Sequence, residues 1–348
     1  MKDGSRRILF IDHLRIFAMF CVILIHTCKT AITDFPLSSA SSYGGVLFYC
    51  IRNICRFSVP IFFMITGALF LDPQKNVSIE KLLKYIKKYL LVILFFGWGF
   101  ALAELLFTER IFQIQILYKS FLNMFSGKSW EHMWYLYELV GIMCVIPIMR
   151  ALVRAIDELW RNYMIIILFF FLSIVPFFEE ITGFSLGIRF PINSVHFMYV
   201  FLGYWLCKDN ISLGIKQVAI IAVLYLILNY IDARLYFSEV DISLTRYNSP
   251  VIVVGSMAVF WVFKMNYQNA IMNNKVTTKI IMFISKCSFG VYIIHMLWIN
   301  LIYKYFHFNP FNGSVILNLV LVYFTVSLLS IGTSYLMNKI PLIKKIIS

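Results

Sequence analysis

Apolar residues in this chain occur in long runs that are separated by short polar segments. The runs are about 20 residues long, which is the length of an α-helix that crosses the hydrocarbon core of a bilayer. Apolar and polar residues do not alternate within them, as they would in the strands of a membrane β-barrel. The pattern predicts an all-α, polytopic membrane helical bundle. We expect about ten spans, near residues 8–28, 46–71, 84–107, 134–150, 162–178, 195–207, 214–231, 249–265, 280–302 and 314–337.

The composition supports a membrane location. Hydrophobic residues make up 61% of the chain and charged residues 14%, whereas about 25% of a soluble protein is charged. The net charge of +14 first suggests a nucleic-acid partner. However, lysines and arginines concentrate in alternate loops, as the positive-inside rule requires, and their distribution places both termini in the cytoplasm. The basic residues therefore indicate orientation, and no nucleic-acid partner is expected.

No stretch of the sequence resembles a soluble domain, so we expect one membrane domain over residues 1–348, without a fused extracytoplasmic domain. Two longer outer segments stand out. Residues 108–133 are amphipathic and are expected to lie on the membrane surface, and residues 232–248 form a candidate lid or acceptor contact. The seven cysteines show no close-paired spacing, so neither a metal site nor a disulfide framework is expected.

The first span carries ionisable residues that are costly to bury in a membrane. At 100° per residue, Asp12, Arg15 and His26 share one helix face, and Arg15 and His26 lie about 16 Å apart along the axis. Separately, Arg15 could reach the inner headgroups and His26 could be an interfacial residue. Their shared face, with Asp12 as a partner for Arg15, favours a polar face that lines the interior of the bundle.

The second span places two arginines, Arg52 and Arg56, one helical turn apart. Two like charges inside a membrane segment require an anionic partner. Glu138 and Glu104 are candidate partners from other spans, with Glu138 preferred for Arg56, and a bound phosphate or thioester oxygen is the alternative. Pro60 and Gly67 in the same span permit a kink and a close helix approach.

Several segments, taken in order, resemble the acyltransferase-3 family of membrane acyltransferases: "RRILFIDHLRIFAMFCVILIH", "RFSVPIFFMITGALFL", "HMWYLYELVGIMCVIPIM" and "CSFGVYIIHMLWI". The most specific element is the family's pattern of Arg, ten residues, then His, which here is Arg15 and His26. The similarity is greatest to members that modify cell-surface glycans, such as the O-acetyltransferase of enterobacterial common antigen.

The resemblance implies transfer of an acyl group, usually acetyl, from cytoplasmic acyl-coenzyme A to a hydroxyl of an extracytoplasmic or lipid-linked polysaccharide. It implies a multi-pass protein of the bacterial plasma membrane, with acetyl-coenzyme A as donor substrate, no permanently bound cofactor and no metal. Some members complete the transfer with an extracytoplasmic domain, so a separate partner is an expectation for this chain. The acceptor glycan, the acyl group and the oligomeric state stay open.

Roles for individual residues follow from this chemistry. His26 is the candidate base that removes the hydroxyl proton, or the nucleophile that forms an acyl-imidazole. Arg15, held by Asp12, is expected to bind the pantetheine arm or the thioester oxygen, and Arg52 and Arg56 could do the same. His132 and Trp134 match the family's His-x-Trp. His132 could orient the acceptor or cap a helix at the membrane interface, and Trp134 could bind substrate or belong to the aromatic belt of that interface. His196 and His295 are expected to be hydrogen-bonded residues at helix contacts.

The family's cytoplasmic Arg-x-x-Arg motif is replaced in this chain by "KLLKYIKK". Lys84, Lys87 and Lys88 are the candidate ligands for the coenzyme A phosphates. They lack the planar guanidinium that grips a phosphate through two hydrogen bonds. Ordinary lysines of a cytoplasmic loop are the alternative interpretation of the segment.

A transporter of a glycan or a small polar substrate is the second functional hypothesis, because polar groups also line permeases. The sequence shows no clear repeat between its two halves, which counts against it. A sensor or scaffold would gain nothing from burying three arginines in the membrane.

Overall fold

A computed structural model describes residues 9–36, 38, 43–109, 113–188, 190–208, 214–269 and 275–347. Residues 1–8, where the first predicted span and its basic flank begin, lie outside the described residues. All regular elements of the described ranges are helices. They are α1 (Leu9–Asp34), α2 (Tyr43–Ile54), α3 (Ser58–Phe70), α4 (Ile79–Val92), α5 (Trp98–Glu109), α6 (Ile114–Phe125), α7 (Trp134–Ala155), α8 (Glu158–Phe169), α9 (Val175–Thr182), α10 (Val195–Lys208), α11 (Ile215–Phe237), α12 (Pro250–Asn269), α13 (Lys275–Asn300), α14 (Val315–Met337) and α15 (Pro341–Ile347).

Eight helical segments of the described chain are long and apolar enough to cross a membrane. Each coincides with one of the ten predicted spans. The other two predicted spans are the 14-residue helix α10 and the shorter apolar part of α12, Pro250–Met265. The chain is thus a multi-pass, all-α membrane protein, as the sequence predicts.

Local sequence signals explain several helix boundaries. Ser78 caps α4 by accepting a hydrogen bond from the Lys81 backbone N–H at 3.3 Å, and Asp157 caps α8 in the same way. Gly183 ends α9 in the left-handed conformation that glycine adopts at low cost. A 3₁₀ turn, Cys55–Phe57, separates α2 from α3 just before Pro60.

Helices α3 and α10 pack with their backbones in contact. A Cβ atom on Gly67 would overlap the Val200 carbonyl oxygen, and one on Gly203 would overlap the Met64 backbone. The predicted role of Gly67 in close helix approach is therefore confirmed, and Gly203 is its counterpart on α10. Small residues allow this packing in membrane helices, where helices gain little from hydrophobic burial.

Helix α1 lies at the centre of the bundle and packs against α2, α3, α12, α13 and α14. This position removes its polar face from lipid. The segment predicted to lie on the membrane surface contains the amphipathic helix α6, which buries Ile116, Ser120 and Met124. The predicted outer loop at 232–248 is wrong at its start, because α11 continues to Phe237. The connecting segment is residues 238–249, named here the outer loop.

Candidate active site

A cavity of about 410 Å³ lies along the polar face of α1. Arg15 and His26 both line it, so the predicted shared face is confirmed. The cavity has two ends. The Arg15 end includes Lys88 and Ser285, and the His26 end includes Arg52 and Arg56. Its volume lies in the range of small-molecule sites.

Arg15 is held in place by a buried carboxylate, as the sequence predicts. An Arg15 guanidinium nitrogen lies 3.4 Å from Asp12 Oδ1, and the Ser285 hydroxyl donates to the same oxygen at 2.6 Å. Asp12 is buried and does not line the cavity, whereas the Arg15 side chain is 28% exposed. Arg15 is therefore the group that a ligand meets, and Asp12 compensates its charge from behind.

The three candidate lysines of α4 do not act as a group. Lys88 lines the cavity, and its Nζ lies 4.3 Å from the centroid of the Phe289 ring. Lys84 and Lys87 are exposed and lie outside the cavity lining. The family's motif has two residues between its basic positions, which corresponds to Lys84 and Lys87 in this chain. In the structure, however, only Lys88 of these three lysines lines the cavity.

Three histidines from distant parts of the chain meet at the His26 end. The His26 ring centroid lies 5.2 Å from that of His295 on α13 and 6.3 Å from that of His132. The centroids of His132 and His295 are 5.0 Å apart. The expectation that His295 only makes a helix contact is thus incomplete, because it also packs directly behind His26.

Backbone carbonyls fix the neutral tautomers of two of these histidines. His132 Nε2 lies 3.0 Å from the Ile293 carbonyl oxygen, and His295 Nδ1 lies 2.7 Å from that of Tyr292. A carbonyl only accepts, so these nitrogens carry the hydrogen. The remaining nitrogens, His132 Nδ1 and His295 Nε2, are lone-pair acceptors. Both are buried without a hydrogen-bond partner in the described chain, and so is His26 Nδ1.

This arrangement leaves Nε2 as the His26 nitrogen available to a ligand, because Nδ1 is buried and His26 lines the cavity. His132 sits in a 3₁₀ turn (Glu131–Met133) whose carbonyl accepts a hydrogen bond from the Tyr292 hydroxyl at 2.6 Å. Within the described residues, no group of three histidines, cysteines or acidic residues is arranged to hold a metal ion.

The predicted partners of Arg56 are wrong. Glu138 lies 3.3 Å from His196 Nδ1, and Glu104 pairs with Lys304. Arg56 instead donates to the backbone oxygen of Thr245 at 2.5 Å and to its hydroxyl at 3.2 Å. Glu138 also lies outside the cavity lining, so the structure does not support it as a substrate ligand.

Aromatic residues form part of the wall at the His26 end. Trp134 lines the cavity, as a substrate-binding role would require, and its ring centroid lies 5.7 Å from that of Tyr247 in the outer loop. Burial raises the pKa of the Tyr247 phenol, which therefore stays protonated and can donate a hydrogen bond. His196 packs behind Trp134 and is hydrogen-bonded, as predicted for it.

Comparison with known proteins agrees with this geometry. Residues 8–339 match the model of a protein family described as an acyltransferase domain. Two similar proteins, from Staphylococcus aureus strains MRSA252 and NCTC 8325 / PS 47, are named as probable poly-beta-1,6-N-acetyl-D-glucosamine export proteins. Each is 23% identical over 326 residues, which cover 88% of this chain and 87% of the relative. No solved structure matches the chain.

Proposed function

Because this chain belongs to the acyltransferase-3 family of membrane proteins, we propose that it transfers an acetyl or other short acyl group from cytoplasmic acyl-coenzyme A to a hydroxyl of a cell-surface polysaccharide. The observation that carries the proposal is the single cavity that joins Arg15 to His26 along α1. Donor and acceptor start on opposite sides of the membrane, and a shared cavity lets them meet. The bacterial plasma membrane, with the Arg15 end towards the cytoplasm, is the matching location.

His26 Nε2 is the proposed base. The acceptor oxygen bonds to the acyl carbon, the carbon–sulfur bond breaks, and the hydroxyl proton passes to His26 and then to the departing thiolate. Coenzyme A therefore leaves as a thiol. In the alternative order His26 Nε2 attacks the acyl carbon, the carbon–sulfur bond breaks and the coenzyme A thiolate departs. The acyl-imidazole then passes its acyl group to the hydroxyl oxygen, and the hydroxyl proton neutralises the thiolate, which again leaves as a thiol. Rapid acid quench followed by mass analysis would detect an acyl-histidine only in the second order.

His132 and His295 are proposed to position His26. In the neutral rings, the nitrogens that make no hydrogen bond present lone pairs near the His26 ring, and these lone pairs electrostatically favour the His26 tautomer that carries its hydrogen on Nδ1. That tautomer keeps the Nε2 lone pair towards the cavity, where a base is needed. The role resembles that of a carboxylate that orients a catalytic histidine, but no charge is required.

Arg15 is proposed to bind the pantetheine arm of acyl-coenzyme A. It does not contact the thioester carbonyl when the hydroxyl attacks. Arg15 and His26 are about 16 Å apart along α1, and their side chains both lean towards the helix N-terminus. One carbonyl group therefore does not reach both. Arg15 and Lys88 would instead hold the amides and phosphates of coenzyme A, with the acyl end directed towards His26.

The proposal is tested with purified full-length protein in detergent and radiolabelled acetyl-coenzyme A. We expect release of free coenzyme A thiol that is accelerated by surface polysaccharide, and transfer of the label to the glycan.

The names of the Staphylococcus aureus relatives favour export as a second candidate function. If proteoliposomes move glycan across the bilayer while the thioester stays intact, the chain is an exporter and the transferase proposal is wrong.

A second prediction separates Lys88 from the neighbouring lysines. Lys88→Gln should raise the KM for acetyl-coenzyme A about tenfold with little change in kcat, because a charge-assisted contact contributes about 1.5 kcal/mol or more. Lys84→Gln is the matched control, since Lys84 is exposed and outside the cavity, and its KM should stay within about twofold of the wild type. Equal effects of the two substitutions would indicate general surface attraction in place of a phosphate contact at Lys88.

A further inference from the structure

The charged side chains that line the cavity are strongly unbalanced. Five are basic (Arg15, Lys29, Arg52, Arg56 and Lys88) and one, Glu131, is acidic. The excess of basic side chains is also present when the His26 end is considered by itself. There Lys29 pairs with Glu131, and among the residues that the structure describes no carboxylate pairs with Arg52 or Arg56.

The surroundings of both arginines are aromatic or neutral. The Arg52 guanidinium carbon lies 4.5 Å from the centroid of the Tyr49 ring, and that of Arg56 lies 6.0 Å from the centroid of the Tyr247 ring. Arg56 also donates to Thr245. Within the described ranges, neither arginine forms an ion pair with a carboxylate. Both side chains are partly buried, so bulk water compensates their charge incompletely.

A nearby buried carboxylate, Asp232, is already occupied by other donors. It accepts hydrogen bonds from Asn53 and from the Thr245 hydroxyl, each at 2.7 Å, and from the Leu244 backbone N–H at 2.5 Å. Thr245 stands between Asp232 and Arg56, so Asp232 acts on Arg56 only through a neutral side chain. The guanidinium groups that face the cavity therefore need an anion from outside the protein.

We propose that the His26 end of the cavity binds an anionic group of a substrate, a carboxylate or a phosphate, through Arg52 and Arg56. Guanidinium groups match these anions by paired hydrogen bonds. The ring of Trp134 on the same wall offers an aromatic face beside the anion, while His26 Nε2 meets the hydroxyl. The inference rests on the proposed function and adds the charge of the substrate. The anion belongs either to the acceptor sugar or to the acyl chain of the donor.

The experiment combines two donors with two acceptors, using the purified full-length protein. The donors are acetyl-coenzyme A and succinyl-coenzyme A, and the acceptors are galacturonate oligomers and neutral N-acetylglucosamine oligomers of equal length. A preference for the galacturonate oligomers with either donor places the anion on the acceptor. A preference for succinyl-coenzyme A with either acceptor places it on the acyl chain.

In the supporting case, Arg52→Gln and Arg56→Gln each lower the ratio of kcat/KM for the anionic substrate to kcat/KM for the neutral pair about tenfold or more, so that the preference for the anion is lost. Arg52→Lys should retain part of the preference because it keeps the charge. Arg234→Gln is the control, since Arg234 is exposed on α11 and outside the cavity. Equal rates for anionic and neutral substrates, unchanged by the two glutamine variants, would overturn the inference.

A binding measurement separates this inference from the proposed function. Galacturonate oligomers and succinate are titrated against tryptophan fluorescence in the absence of any thioester. Saturable quenching by either probe that weakens about tenfold in Arg52→Gln supports the anion site even if no acyl transfer occurs. Folding of each variant is checked by size-exclusion chromatography and thermal unfolding. A folded wild-type protein that binds neither probe, and shows no preference in the transfer assay, contradicts it.

Discussion

Replacing His26 by alanine is expected to reduce acyl transfer by about 10²–10⁴-fold, the usual contribution of a positioned general base or acid. The expectation follows from the site, because His26 lines the cavity and its Nε2 is the ring nitrogen that a ligand can reach. His132 also lines the cavity, but its Nε2 is hydrogen-bonded to the Ile293 carbonyl and its Nδ1 is buried, so neither of its nitrogens is open to a ligand in the same way. The measurement is the rate of thiol release from acetyl-coenzyme A with acceptor present.

The matched control is His307→Asn, because His307 is exposed in a loop and its positive φ suits asparagine. Its rate should stay near that of the wild type. A second readout addresses the tautomer. Nitrogen NMR of ¹⁵N-histidine-labelled protein should assign the His26 hydrogen to Nδ1, and His295→Ala should weaken that preference. Full activity of a folded His26→Ala protein would remove His26 from the mechanism.

Replacing Gly67 by alanine should prevent the bundle from assembling correctly. The added methyl group would meet the Val200 carbonyl oxygen of the neighbouring helix, and backbone atoms do not relieve the overlap by changing rotamer. We expect a loss of at least about 3 kcal/mol in the free energy of unfolding, at the upper end of overpacking costs. Thermal unfolding in detergent and the fraction of monodisperse protein on size exclusion measure it.

Gly141→Ala is the control for this prediction. Gly141 lies within α7, and a Cβ atom there meets nothing within 4 Å. The substitution should be neutral or stabilise the helix by about 0.5–1 kcal/mol, because alanine favours the helical conformation over glycine. A Gly67→Ala protein that unfolds at the wild-type temperature would show that α3 and α10 can separate without penalty.

The sequence correctly predicts features that depend on one helix only, such as which residues share a face and which segments are long and apolar enough to span the membrane. Arg15 and His26 share a face because helical periodicity requires it, and Asp12 lies within reach of Arg15 because the two are one turn apart. Gly67 signals a close contact, although its partner Gly203 is visible only after the helices pack. All ten expected spans correspond to helices for the same reason, since length and apolarity are local properties.

Contacts between distant segments were not predictable in this way. His295 is far from His26 in the chain, and periodicity does not show that α1 and α13 are neighbours. Charge alone predicts Glu138 as the partner of Arg56, whereas in the folded chain the Glu138 carboxylate lies 3.3 Å from His196 Nδ1. Lys88 and Lys84 both lie on α4, but the Lys88 side chain lines the cavity and the Lys84 side chain is exposed outside it. These contacts depend on which helices are neighbours in the bundle, and no periodic pattern in a single sequence shows that.

The three hydrogen bonds that Asp232 accepts have a consequence for how substrates are chosen. They connect the outer loop to α2 and α11, and they thereby hold Tyr247 of this loop in the cavity wall in the absence of a ligand. A cavity wall that is already ordered avoids the loss of conformational entropy that ordering a mobile loop would add to substrate binding. Under the proposed function, substitutions on this loop are expected to change which acceptor binds without displacing His26 on α1 or His295 on α13.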